Sequence, residues 1–161
     1  IERVIVVDGG SSDTTPTLAS PLCDQVLTSP PGRAQQMNAG AAASHADVLL
    51  FLHADTRLPP DADQLILQGL TKSDRQWGRF DVHIEGRHPL LPMVAWFMNH
   101  RSRLSGIATG DQGLFMTRAA FDAVGGYANI RLMEDIRLCA ALKKQAGRPL
   151  CLNQRIITAG P

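Results

Sequence analysis

Two stretches of this chain constrain its fold more than any others. Val4-Ile5-Val6-Val7 and Val48-Leu49-Leu50-Phe51-Leu52 are unbroken runs of β-favouring apolar residues. A strand with one wet face alternates apolar with polar, whereas an unbroken run marks a strand covered on both faces, as in a parallel sheet flanked by helices. Each run feeds a loop that carries carboxylates, Asp8 and Asp13 after the first and Asp55 after the second. Between them, Asp13 is placed to cap a short helix with Pro16 in its opening turn, and Asp24 to Leu27 reads as a second strand. Ser29-Pro30-Pro31-Gly32 breaks the chain before Arg33 to Ala43, an Ala- and Gln-rich segment that reads as helix despite Gly40. The order strand, helix, strand, helix, strand predicts an α/β fold.

Downstream, Pro59 and Pro60 open a helix running to about Leu70, and Trp77 to Ile84 reads as a strand, apolar on one side and polar on the other. Leu114 to Met116 is a short strand, Ala119 to Val124 a short helix ended by Gly125-Gly126, and Leu132 to Gln145 a helix closed by Gly147. There is no repeat, low-complexity tract or linker, so residues 1–161 are expected to form one domain. The chain opens without Met in a strand-like run and stops just after another, so both ends look cut.

A net charge of +1 and only 5% aromatic residues argue against a nucleic-acid partner, which would need a basic field and stacking platforms. Cys23, Cys139 and Cys151 show no CxxC spacing and read as reduced packing thiols of a cytoplasmic protein. The longest apolar stretch, Leu90 to Met98 with Pro92 inside it, is far short of the roughly 20 residues needed to span a bilayer.

In an open parallel sheet, ligands gather at the carboxyl ends of strands, where loops and helix N-termini meet. "VVDGGSSD" there offers Asp8, two glycines permitting close backbone approach, and hydroxyls, which suits a nucleoside; an ordinary strand-to-helix turn capped by Asp13 has the same pattern. In "LHAD", alternation along the strand puts His53 and Asp55 on one side, able to face a divalent ion such as Mg2+ or Mn2+; a hydrogen-bonded core histidine and a loop-capping aspartate are the plainer reading. "MED" puts Glu134 and Asp135 at a helix start, where the dipole favours the charged, proton-accepting form, although acidic residues are common in first helical turns.

In order and approximate spacing, "VVDGGSSD", "GRAQQMNAG", "LLFLHADT", "GDQGLFMTRAAFDAVGGY" and "MEDIRL" resemble the family 2 glycosyltransferases of the GT-A fold. "GRFDV", "RSRLSGIATGDQ" and "LMEDI" are most similar to the bacterial subgroup of radical-SAM/selenodomain-associated transferases. The resemblance implies a three-layer, Rossmann-like sandwich with a mostly parallel mixed sheet, and an inverting transferase that uses a nucleotide-diphosphate sugar and a divalent metal. It implies that Asp8, Gly10, Ser11, Asp13, Arg33 and Asn38 hold the donor. Asp55 with His53 would hold the metal, and Asp135, supported by Glu134, would deprotonate the acceptor. Departures from the family pattern are Gly9 in place of a second aspartate, His53 in place of the first residue of the metal motif, and Met37 where many relatives have arginine. The family's first strand, one wall of the nucleoside pocket, has no counterpart in this sequence. His53 is open to two roles, ligating manganese or zinc as a neutral imidazole or hydrogen-bonding the donor ribose.

On the acceptor side, Arg79 and Asp81 in "WGRFDV" and Asp111 and Gln112 in "GDQGLF" are the candidates to touch sugar hydroxyls, with ordinary surface polarity as the alternative. Leu90 to Leu104, apolar ahead of His100, Arg101 and Arg103, is expected to be a core helix packing Trp96 and Phe97. The alternative is a helix resting on the inner face of a membrane, where it would receive a lipid-linked acceptor. Two other classes compete with the transferase: a nucleotide-sugar binding module weakened in catalysis, suggested by Gly9 and His53, and a nucleotidyltransferase, disfavoured because no Gly-rich loop carries an Arg and Lys for a triphosphate.

Overall fold

The structure is a computed structural model that describes residues 1–160. Its elements are β1 (Ile5–Asp8), α1 (Thr15–Ala19), β2 (Gln25–Thr28), α2 (Arg33–Ala42), β3 (Val48–Phe51) and β4 (Thr56–Arg57). They continue as α3 (Ala62–Ser73), β5 (Trp77–Glu85), α4 (Leu91–Ser105), β6 (Leu114–Thr117), α5 (Arg118–Ala123), α6 (Glu134–Ala146) and β7 (Leu150–Ala159).

β3, β6, β5, β7 and β4 form one sheet in that order. β5 and β7 pair in parallel, while β3–β6, β6–β5 and β7–β4 are antiparallel, so β3, β5 and β7 share one direction and β6 and β4 oppose it. The period-2 alternation of side chains divides the core into two. Leu114 and Met116 of β6 point to one face, where they meet Trp77 and the inner residues of α2, α5 and α6, among them Ala34, Phe121, Leu138 and Leu142. Phe115 points to the other and packs with Phe80, Val82 and Ile156 beneath α3 and α4. Helix, sheet and helix make the three layers expected from the sequence.

β5 departs from the expected half-wet strand. It lies between β6 and β7 with helices over both faces, so Trp77, Gly78, Arg79 and Phe80 are all buried, and the arginine on its nominally polar side is enclosed. The two apolar runs depart in the opposite sense. β1 pairs only with β2, in parallel, and β3 only with β6, so among the described residues each has an edge without a partner. Between them lies a groove of about 440 Å³ lined by Val4, Ile5, Val48, Leu50, Leu52 and Ile66 among others. Leu49 alone in β3 and Asp8 alone in β1 are fully buried. The apolar runs are therefore only half covered, because among the described residues no further strand occupies the space that separates them.

Candidate functional site

β3 ends at Phe51, so His53 and Asp55 lie in the loop that follows it and not, as expected, on alternate positions of the strand. His53 is mostly covered, with 21% of its side chain exposed, and its Nδ1 lies 3.1 Å from Asp111 Oδ1. Asp55 is exposed; its Oδ1 accepts a long 3.3 Å bond from the Thr56 hydroxyl, which leaves most of the carboxylate's acceptor capacity free. The Asp111 hydrogen bond raises the His53 pKa above its ordinary value against the opposing effect of burial, and the same bond lowers that of Asp111. Asp55 also raises the histidine's pKa, while Arg33 lowers it, so both lie within electrostatic reach.

Asp111 stands in a short 3₁₀ turn, Gly110–Gln112, that joins the end of β3 to the start of α6. The Gly110 N–H donates to Asp135 Oδ2 at 2.7 Å, and the Ile136 N–H donates to Asp135 Oδ1 at 2.7 Å. A Cβ on residue 110 would stand 2.4 Å from His53 Nε2, so only glycine lets the imidazole lie against this backbone. Beside Asp135, Glu134 is buried at 3% exposure, and its Oε1 is 4.0 Å from the Arg33 guanidinium at the first turn of α2. His53, Asp111, Gly110, Asp135, Glu134 and Arg33 thus form a contiguous cluster built from β3, the 109–113 loop and the N-terminal ends of α2 and α6, with exposed Asp55 within electrostatic reach of His53. Met133, at φ 64°, turns the chain into α6 just before this pair of acids.

Asp8 ends β1 almost fully buried, and its own loop uses both carboxylate oxygens. Gly10 N–H and Ser11 N–H each donate to Oδ2 at 2.9 Å, and the Ser11 hydroxyl donates to Oδ1. These bonds, the Ser11 hydroxyl foremost, lower its pKa below the usual carboxylate value. Asp13 accepts from Thr15 N–H at 2.9 Å at the start of α1. The turn sits against α2: a Cβ on Gly9 would come within 3.2 Å of Gln36, whose Nε2 donates to the Val7 carbonyl. Arg33, one turn earlier, faces the cluster with 68% of its side chain exposed. Asn38 does not. Its amide clamps Tyr127 through Nδ2–H to the carbonyl at 2.8 Å and through Oδ1 from the N–H at 2.9 Å, so it fastens α2 to the 125–129 loop.

Three of the four residues expected on the acceptor side are turned inward, Arg79 and Asp81 because β5 is a central strand and Gln112 because it packs against α4. Arg79 has no exposed surface; it is paired with Asp81 and donates to the Asn99 carbonyl at 3.1 Å. Asp81, 14% exposed, also takes Arg103 on both oxygens, at 2.7 and 2.9 Å. Gln112 is fully buried and donates to Asn99 Oδ1 at 3.3 Å and the Ser102 hydroxyl at 3.2 Å. Only Asp111 faces the cluster. The unforeseen residues are Asn99 and Gly110. Asn99 brackets Val82, accepting from its N–H at 2.9 Å and donating to its carbonyl at 3.0 Å. The available signal was an asparagine in register with Leu91 and Ala95 on one face of an apolar helix, where a polar group persists only if hydrogen-bonded.

No group of three His, Cys, Asp or Glu side chains able to cage a metal is present among the described residues. A hard divalent cation that arrives with a diphosphate needs only one or two protein carboxylates, the rest of its shell being phosphate and water. Asp55, exposed and nearly unpartnered beside His53, fits that demand.

Residues 2–125 match the family model described as glycosyl transferase family 2, a span that stops short of Glu134 and Asp135. No curated protein matches in sequence. Among solved structures, the chain superimposes on Staphylococcus aureus TarS 1–349 in complex with UDP-GlcNAc at TM-score 0.78 and 14% identity, covering 99% of this chain and 50% of that one. The mannosyltransferase PcManGT from Pyrobaculum calidifontis, in complex with GDP-Man and Mn2+, gives 0.69 and 17%, with 99% and 48% covered. Glucosyl-3-phosphoglycerate synthase from Mycobacterium tuberculosis, in complex with phosphoglyceric acid, gives 0.68 and 18%, with 98% and 60% covered. The chain thus spans about half the length of the structures it resembles, and at these identities the likeness establishes the fold. With more than half of its residues under the family model, the chain belongs to glycosyl transferase family 2.

Proposed function

We propose that the chain carries the catalytic centre of an inverting glycosyltransferase that moves a sugar from a nucleotide-diphosphate donor to an acceptor hydroxyl. The observation that carries this reading is the bond from Gly110 N–H to Asp135, which fixes a carboxylate at a helix start beside the His53–Asp111 pair at the end of β3. The acceptor oxygen attacks the anomeric carbon and forms the new C–O bond, the anomeric C–O bond to phosphate breaks, and the nucleoside diphosphate leaves with the electron pair. The acceptor proton passes to Asp135. Its two N–H bonds leave further lone pairs for that proton and hold the carboxylate in one orientation. Glu134 keeps Arg33 beside the cluster, where a guanidinium meets the charge that develops on a leaving diphosphate. A divalent cation held by Asp55, with His53 beside it, would add Lewis-acid stabilisation of that same charge. Asp8, fixed by its own turn, would meet the nucleoside, and Asp111 the acceptor or the sugar.

The test is release of nucleoside diphosphate by the intact protein with Mn2+ and a panel of nucleotide sugars that includes GDP-mannose and UDP-N-acetylglucosamine. Asp135→Asn is expected to lower turnover by at least about 100-fold, the scale of a general base, with donor affinity retained. Asp55→Ala is expected to remove the metal dependence of donor binding. An absence of both binding and turnover across the panel would sink the proposal.

A second reading is a nucleotide-sugar binding module weakened in catalysis. It is favoured by Asp8, whose carboxylate oxygens already serve Gly10 and Ser11, and by a metal position with at most two protein side chains. Calorimetry separates the two: donor binding indifferent to Asp135→Asn, in a parent that never turns over, selects the module.

A further inference from the structure

The helix expected to bury Trp96 and Phe97 does the reverse. α4 packs on the sheet through Leu91, Ala95, Asn99 and Ser102. Its opposite face turns Leu90, Met93, Val94, Trp96, Phe97 and Leu104 to the outside, at exposures from 42 to 78%. Single exposed apolar residues are ordinary, but a stripe of them over four turns of one helix is a contiguous patch that calls for a partner.

The charge around the stripe says which partner. From Gly86 to Gly110 the sequence contains no Asp or Glu, while Arg87, His88, His100, Arg101 and Arg103 all lie there. Arg103 is committed to Asp81. Arg87 is exposed at the head of the helix, whereas Arg101 borders a shallow apolar depression with Met93, Val94, Trp96, Phe97 and Met98 and has its Nε and Nη2 buried. His100 stacks on Trp96 with ring centroids 4.0 Å apart, its Nδ1 2.9 Å from the Trp96 carbonyl, which widens the flat aromatic surface of this face. An apolar helix face with an aromatic anchor, an exposed arginine at its head and no acid along it is what an anionic lipid interface selects. The helix is not long and apolar enough to cross a membrane, a limit shared by every helix among the described residues, so it would lie in the plane of the interface.

We propose that the outer face of α4 docks on an anionic phospholipid surface. Met93, Trp96 and Phe97 enter the headgroup–acyl boundary, and exposed Arg87 at the head of the helix takes lipid phosphate. This goes beyond the proposed transfer reaction and does not need it, although it suits an acceptor presented from a membrane: the inner face of α4 holds Gln112, two residues from the Gly110 that fixes Asp135.

The test is co-sedimentation of the full chain with phosphatidylcholine vesicles with and without phosphatidylglycerol, read together with tryptophan emission. Trp77 is fully buried, so a blue shift on adding vesicles reports Trp96. The expected result is binding only to the anionic vesicles, weakening as salt rises, with a blue shift. Phe97→Ser should weaken it at least about tenfold and Arg87→Gln about fivefold. Both residues are exposed, so circular dichroism should show the parent fold; a double variant, Met93→Ser with Phe97→Ser, provides a second arm if either single variant fails to fold. Asp135→Asn should bind vesicles like the parent, which keeps a failure of the transfer reaction distinct from a failure of docking. Absence of binding to anionic vesicles, binding indifferent to lipid charge and to Phe97→Ser, or a dimer broken by Phe97→Ser in place of vesicle binding would each overturn the proposal.

Discussion

The buried ion pair of β5 gives the sharpest quantitative expectation. Arg79 has no exposed surface, and among the described residues Asp81 is the carboxylate that neutralises it. Removing Asp81 strands a guanidinium inside the sheet with one carbonyl acceptor, that of Asn99, and an Nε that already lacks a partner. Breaking a buried pair from one side costs about 3–5 kcal/mol, because the remaining charge keeps its desolvation penalty. Arg103 adds little to that sum, since a third of its side chain is exposed and it keeps Asn153 at 2.6 Å. Asp81→Ala should therefore destabilise the fold by about 3–5 kcal/mol. For a chain of this size that corresponds to a fall in Tm of roughly 6–20 °C. Arg79→Met combined with Asp81→Ala removes the stranded charge as well, and should recover at least about 2 kcal/mol of that loss. Urea unfolding followed by circular dichroism measures both, with an unchanged m-value as the check that only stability has moved. A single variant within about 1 kcal/mol of the parent, or a double variant no more stable than the single, would refute the assignment of Arg79 as a charge that depends on Asp81.

Gly110→Ala should displace the His53 ring and loosen the N–H bond to Asp135, costing about 1–3 kcal/mol, the usual range for overpacking; an inhibitor-free donor titration should show weaker binding, and unchanged stability together with unchanged binding would contradict the close approach. The lowered pKa of Asp8 stabilises the native state above the unperturbed carboxylate range, and this contribution is lost as pH falls through the lowered value. Ser11→Ala should therefore shift the Asp8 carboxyl titration upward by NMR, and the stability gap between parent and variant should be widest at neutral pH and shrink in acid. Burial raises the Cys139 thiol pKa to about 12, so Cys139 should resist iodoacetamide at neutral pH until the protein unfolds, whereas half-buried Cys23 and Cys151 are modified first; peptide mapping of the native protein reads the order.

How far the sequence foretold the structure depended on whether a residue's neighbours were local. The strands and helices from Ile5 to Phe51 fall within a residue or two of their expected bounds, because Pro, Gly and apolar runs specify them without help from elsewhere. The two-residue β4 was missed, since it exists only by pairing with β7. Exposure was the weak point. Trp96 and Phe97 carry the same apolar signal whether they face a core or the outside, and the residues that settle it, Asn99 and Ser102 on the opposite face, are bound to Gln112, which lies 10 to 13 positions away. Arg79 and Gln112 read as surface polarity for the same reason: nothing near them in sequence states that β5 is central or that the turn at Gln112 packs against α4.

The candidate site shows the same division, and its logic follows from it. The positions of His53 just after a strand and Asp135 at a helix start could be read from the sequence. What joins them was not legible, because it is a backbone N–H and a missing side chain, neither of which a motif records. Gly110 serves both needs at once: its N–H orients Asp135, and its lack of a Cβ admits His53, whose Nδ1 in turn faces Asp111 of the same turn. The turn is anchored from behind by Gln112 on Asn99, and Asn99 is bonded to β5 at Val82, one residue after Asp81. Position at the cluster is thus inherited from the buried network of β5 and α4. A variant that disturbs Arg79, Asp81 or Asn99 should affect Asp135 without touching it, and Asn99→Ala, which removes one of the two side chains that hold Gln112 but none of the exposed groups, should reduce turnover more than it reduces affinity for the donor.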